Sequence, residues 1–103
     1  MRDLLAAEEA EKWLNRGLEL LAQRKFDEVF ACFDRGLKIA PQHASLQYYV
    51  GFAYEWGHGV QEDGSEAALW FRRAAEQGFA LAQNYLAFFY ECGRGVPKDD
   101  NQA

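Results

Sequence analysis

The feature that most constrains this chain is a repeat with a step of thirty-six residues. Residues 44–67, ASLQYYVGFAYEWGHGVQEDGSEA, return at 80–103 as ALAQNYLAFFYECGRGVPKDDNQA, with eleven identities in twenty-four aligned positions. The shared spacing is A-x-x-Q-x-Y-x-x-F-x-Y-E-x-G-x-G-V-x-x-D. A repeat of this length is one small structural unit that cannot bury its apolar face alone and stacks on its own copy. The expected architecture is therefore a linear array of hairpins, all-α.

The unit reads as an apolar helix, a glycine-punctuated loop, a second apolar helix and a glycine stop. The first of these helices is expected from about His43 to Glu55 or Trp56, and it is apolar nearly all round, the mark of a helix packed on several sides. Gly57 suits a left-handed residue at its end, and Gly59 suits a tight reversal. Val60 is expected to plug apolar space between the helices. Asp63 with Glu66 three later has capping-box spacing, with Ser65 as the alternative cap. The next helix is expected over about Ser65 to Gln77, stopped by Gly78. The copy of the first helix then runs over about Ala80 to Cys92. Its loop is Gly93 to Asp99, and Asn101-Gln102-Ala103 resembles the start of a sixth helix.

Ahead of the repeat, apolar residues at three-and-four spacing (Leu5, Trp13, Leu14, Leu18, Leu21) predict a helix over residues 3–23. Asp3 is its expected cap. Gly17 in mid-helix costs about 1 kcal/mol relative to alanine and implies close approach of another helix. After Gln23-Arg24-Lys25, a second helix is expected from Phe26 or Asp27 to about Ala40, stopped by Pro41. The whole is read as one domain over 1–103, made of a hairpin at 3–43, a complete unit at 44–79 and a partial one at 80–103.

Trp13, Gly17, Phe33 and Pro41 give the first hairpin a partial resemblance to a tetratricopeptide repeat. Val29 and Gly36 stand where that family usually has alanine, and Leu20 where it has tyrosine. The run Gly51…Tyr54…Gly57-His58-Gly59-Val60…Asp63…Ala67…Trp70-Phe71…Ala74-Ala75…Gly78 more closely resembles a Sel-one-like repeat (SLR), a subclass of tetratricopeptide-like hairpins. Ala87 and Cys92 depart from it in the second copy. The resemblance implies a right-handed α-solenoid of about five helices, acting as a protein-binding scaffold or adaptor.

Family geometry would place helices one, three and five on the concave side. Aligning Gly17, Gly51 and Ala87 then gives the expected groove row: Glu11, Leu14, Asn15 and Leu18; Ser45, Tyr48, Phe52 and Glu55; Leu81, Asn84, Phe88 and Glu91. The row has no Lys or Arg and would suit an apolar peptide carrying a basic residue. Aromatics at helical spacing more often pack than stay open, so Tyr48, Phe52 and Phe88 are read first as packing residues. Glu55 and Glu91 are equally readable as solvated helix ends. Asn15 and Asn84 offer donors and acceptors to a peptide backbone. The last helix has no partner after it, so Leu86, Phe89 and Tyr90 would meet the helix before it or a missing one. A partner, further residues or a second copy of the chain would cover that end, which leaves a homo-oligomer or a structural assembly module as the alternative function.

Composition narrows the remainder. The net charge of −5 over 103 residues makes nucleic acid a poor partner, because an acidic chain releases no phosphate counterions. No apolar run approaches the length of a membrane span, so no membrane insertion is expected. No signal-peptide core is visible, which favours a cytoplasmic location, with secretory or periplasmic origin open if the sequence is a fragment. Cys32 and Cys92 read as reduced, half-buried side chains. His43 reads as a surface residue near a helix start, and His58, matched by Arg94, as surface variation. No nucleophile–base spacing or metal-ligand pattern appears, so no enzyme activity, cofactor or metal is expected.

Overall fold

Alternation of apolar helices with short breaks gives an up-and-down path. The computed structural model describes residues 2–92, the side chains of Arg2, Asp3, Phe89 and Cys92 excepted. The helices are α1 (Arg2–Ala22), α2 (Val29–Ile39), α3 (Ala44–Trp56), α4 (Gly64–Glu76) and α5 (Ala80–Cys92). No strand occurs among the described residues. Helices α1 and α2 form one hairpin, α3 and α4 a second, and α5 packs on α4. This is an α-solenoid. The loop from Gly93 to Asp99, the start of a sixth helix, and the side chains of Phe89 and Cys92 lie outside the described residues.

Two apolar clusters hold the stack. Leu14, Leu20, Val29, Phe33, Leu46 and Val50 join α1, α2 and α3. Tyr48, Ala67, Phe71, Ala74 and Ala82 join α3, α4 and α5. Helix α3 serves both clusters, which is why its sequence is apolar nearly all round. A Cβ on Gly17 would overlap the Phe33 ring, and one on Gly51 would sit 3.0 Å from the Phe71 ring. The mid-helix glycines thus mark the closest helix crossings, as the sequence predicts for Gly17.

Caps set most of the boundaries. The Asp63 carboxylate accepts from the backbone N–H groups of Ser65 and Glu66 at 3.0 and 3.1 Å, fixing the start of α4. His43 Nδ1 accepts from the Leu46 N–H at 3.3 Å, while Nε2 lies 2.9 Å from the Glu11 carboxylate. That imidazole therefore caps α3 and ties it to α1. Gln47, 4 % exposed, donates to the Pro41 carbonyl, and Gln77 donates to the Gln47 side chain and the Gln42 carbonyl.

Two boundaries differ from expectation. Asp3 lies inside α1, which already runs from Arg2, so it is not the cap. The second helix does not begin at Phe26: residues Phe26–Glu28 form a 3₁₀ turn and the α-helix starts at Val29. The cause is the way α1 ends. Arg24 takes a positive φ of 62°, and the Lys25 and Arg24 N–H groups return to the Leu20 and Leu21 carbonyls at 2.8 and 3.0 Å. The chain is thereby turned sharply, and the following residues tighten before a regular helix can start.

Candidate peptide-binding groove

Stacking α3 beside α5 brings one aromatic ladder together. Phe52 and Trp56 are one turn apart on α3, with ring centroids 6.4 Å apart. Tyr85 and Phe88 are neighbours on α5 at 6.5 Å. Phe52 and Tyr85 join the two pairs edge to face at 6.4 Å. Beside this ladder lies a cavity of about 390 Å³ lined by Glu55, Trp56, Asn84, Tyr85 and Phe88. Its volume falls at the lower end of the ~300–1,000 Å³ usual for ligand sites, enough for one large side chain and its neighbours.

Of the expected groove row, the cavity gathers Glu55, Asn84 and Phe88. Phe88 is 49 % exposed and Trp56 56 %, a large apolar area left to water. Phe52 stands half-buried behind them. Asn84 is exposed, so its amide is open to a ligand. Glu91 and Asn15 are exposed but line no part of the cavity, and Glu11, Ser45 and Leu81 also lie outside its walls.

Three residues of the row belong elsewhere. Leu14 is 7 % exposed and sits in the first core cluster; Leu18 packs against the same cluster. Tyr48 is 6 % exposed, with its ring 5.4 Å from Phe71, 5.3 Å from Phe79 and 5.9 Å from Tyr85. Burial pushes its hydroxyl up to about 12, helped by Tyr85 and Tyr49, so it stays protonated. These side chains point into helix seams, where exclusion of water outweighs exposure to a groove. Glu55 is not a solvated helix end either. It is 2 % exposed and already engaged within the molecule.

Trp56 and Tyr85 escaped the sequence reading. The signal was present in the i,i+4 relation of Trp56 to Phe52 and the i,i+3 relation of Tyr85 to Phe88. At the other end of the expected contact surface, Leu86 is half-buried against the second cluster and so faces the preceding hairpin. Tyr90 is 47 % exposed.

The G-x-G-V loop between α3 and α4 locks the two hairpins together. The His58 ring stacks on Phe26 at 4.2 Å with the planes 9° apart, and lies 5.7 Å from Phe52. Its Nδ1 is buried with no hydrogen-bond partner among the described residues. Burial lowers its affinity for a proton. Gly59 has φ 81°, and a Cβ there would come within 2.8 Å of the Asp27 carbonyl oxygen. His58 is therefore a packing residue between repeats, which corrects its reading as surface variation. His43 is a capping residue, as its position suggests. Cys32 is buried and reduced, its thiol pushed up by burial. Among the described residues, no group of three or more His, Cys, Asp or Glu is placed to hold a metal, and no helix is long and apolar enough to cross a membrane.

Comparison with known proteins agrees with this architecture. A Sel1 repeat protein from Oxalobacter formigenes superposes with a TM-score of 0.70 and 34 % identity, covering 82 % of this chain and 33 % of its own. A protective antigen of uropathogenic Escherichia coli with an SLR fold gives a TM-score of 0.78 and 31 % identity, covering 87 % of this chain and 20 % of its own. Chitin synthase regulatory factor 3 of Schizosaccharomyces pombe is 52 % identical over 40 residues, which is 39 % of this chain and 4 % of that protein. The chain thus spans a third or less of each of these relatives. The Sel1 repeat profile matches residues 44–79 and 80–103, and the chain belongs to the Sel1 repeat family.

Proposed function

We propose that the chain is a docking module that holds a segment of another protein in the groove between α3 and α5. Sel1 repeats are in general protein-interaction modules and, as a family, non-enzymatic scaffolds. The observation that carries the finer reading is the cavity itself. Trp56 and Phe88 leave about half their surface in water beside an open amide, Asn84, and Phe88 and Asn84 belong to the row that family geometry would place on the concave side. Buried aromatic anchors beside a few polar groups are what dominate peptide and protein contacts.

Capture of binding proteins tests this with Phe88→Ala and Trp56→Ala, both at positions about half exposed and outside the buried clusters. Partners recovered by the wild type are expected to be lost in both variants, while both stay folded with the wild-type helical signal at the assay temperature. Retention of every partner by both variants would remove the groove from the function.

A second reading has its own support. Gln83, Asn84, Ala87 and Glu91 on α5 are exposed, although their counterparts in α3 are buried, Gly51 against Phe71 and Ala67 of α4. That open face suits a permanent subunit contact, including one with a second copy. Ala87→Arg would break such a contact and leave the cavity walls in place. Loss of assembly in that variant, with Phe88→Ala unaffected, selects the second reading.

A further inference from the structure

We infer that the cavity between α3 and α5 takes the cationic side chain of an extended peptide, an arginine flanked by apolar residues. The inference rests on the groove reading above and adds the chemistry of its occupant.

Charge is the first argument. Neither α3 nor α5 carries a single lysine or arginine, and their only charged residues are Glu55 and Glu91. Trp56, the last residue of α3, lines the cavity, and the last turn of that helix carries no basic residue. Glu55 also lines the wall, but it is already engaged within the molecule and is not counted as an ion-pair partner. Among the described residues that line the cavity there is no cation to hold an acidic or C-terminal carboxylate ligand.

The walls are the second argument. Trp56, Tyr85 and Phe88 present aromatic surface, and the face of an indole or benzene ring attracts a cation within about 6 Å of its centre. Arginine suits this better than lysine, because its planar guanidinium stacks on aromatic rings and is weakly hydrated. The Asn84 carbonyl then accepts from one guanidinium N–H, or its amide pairs with the peptide backbone. Apolar residues on either side of the arginine would cover the exposed parts of Trp56 and Phe88.

A second copy of the chain is the poorer occupant. Each copy has a net charge of −5 and the α3–α5 face offers no cation of its own, so a second copy brings neither charge complementarity nor the guanidinium that the rings suit.

The test is selection of random short peptides displayed on phage by the full chain, followed by synthesis of the winners with blocked ends. Winners are expected to share one arginine beside apolar residues. Replacing that arginine by citrulline, its neutral isostere, should weaken binding about tenfold, the scale of a desolvated cation–π contact. Added salt should weaken the arginine peptide and leave the citrulline peptide nearly unchanged. Trp56→Ala should narrow the gap between the two peptides. Winners without a cation that still need Phe88 would overturn the inference and leave the groove reading standing. Failure of any peptide to bind, with sedimentation showing Phe88-dependent dimers, would overturn both.

Discussion

Gln47, Tyr48, Gly51 and Glu55 are buried in α3, whereas their counterparts in α5, Gln83, Asn84, Ala87 and Glu91, are exposed. The two helices share much of their sequence, so the difference comes from the neighbours that cover each of them. Helix α3 has α4 and α5 laid against it, while among the described residues no further hairpin covers that face of α5. In a solenoid, each repeat is buried by the neighbours on its two sides, and loss of one side opens a face. Asn84 stands where α3 has the core Tyr48, and Ala87 where α3 has Gly51, which packs on Phe71 and Ala67. Yet Leu81, Phe88 and Tyr90 each leave about half their surface in water. Of these, Phe88 lies at the cavity.

The comparison is open to breaking by paired substitutions. Phe71 is fully buried and its ring stacks on Tyr85 at 4.8 Å. Phe71→Ala should cost about 3–5 kcal/mol, the usual loss for a core aromatic. Phe88 meets the same tyrosine from the open side, and Phe88→Ala should cost less than about 1.5 kcal/mol because much of its surface is already wet. Denaturant unfolding of both variants measures the gap. Equal losses would mean that the α5 face is covered in solution as α3 is.

A smaller contrast concerns the crossing residues. A Cβ at Gly51 would lie 3.0 Å from the Phe71 ring and 3.1 Å from the Ala67 carbonyl oxygen, so Gly51→Ala should cost about 1–3 kcal/mol by overpacking. The mirror change Ala87→Gly meets no packing demand and should cost about 1 kcal/mol through helix propensity alone. Thermal unfolding of the two variants separates strain from propensity. A stabilising Gly51→Ala would show that the α3–α4 crossing is looser than its geometry implies.

Much of this was legible in the residues. Self-similarity at 44–67 and 80–103 marks the stacked units, and Gly17, Pro41, Gly57, Asp63 and Gly78 mark where helices cross or stop. What sequence could not reveal is which apolar residue of a helix faces a neighbour and which faces a groove. Leu14 and Tyr48 lie in the row that family geometry calls concave, yet both point into seams, because closely packed helices leave little surface over. Trp56 was hidden by its place at a helix end, and His58 by its place in a loop. A loop residue becomes structural only when the preceding hairpin brings Phe26 against it, a contact thirty-two residues away in sequence that no local pattern records.

That contact also distinguishes the two loops. His58 is neutral in its stacked site, and Arg94, its counterpart in the second copy, carries a permanent charge. Burial depresses the His58 proton affinity in the folded chain, while the unfolded chain keeps the ordinary value near ~6.5. Above that value neither state binds the proton, and the contribution of the stacked neutral ring to stability is fully present. As pH falls below it, the unfolded state takes up a proton that the folded state refuses, so stability declines until the folded value is passed. The unfolding midpoint should therefore drop between about pH 7 and about pH 5. His58→Phe keeps a ring on Phe26 and removes the proton, so it should flatten this part of the profile without lowering the midpoint at neutral pH. An unchanged slope in that variant would mean that the inter-repeat stack is open to water.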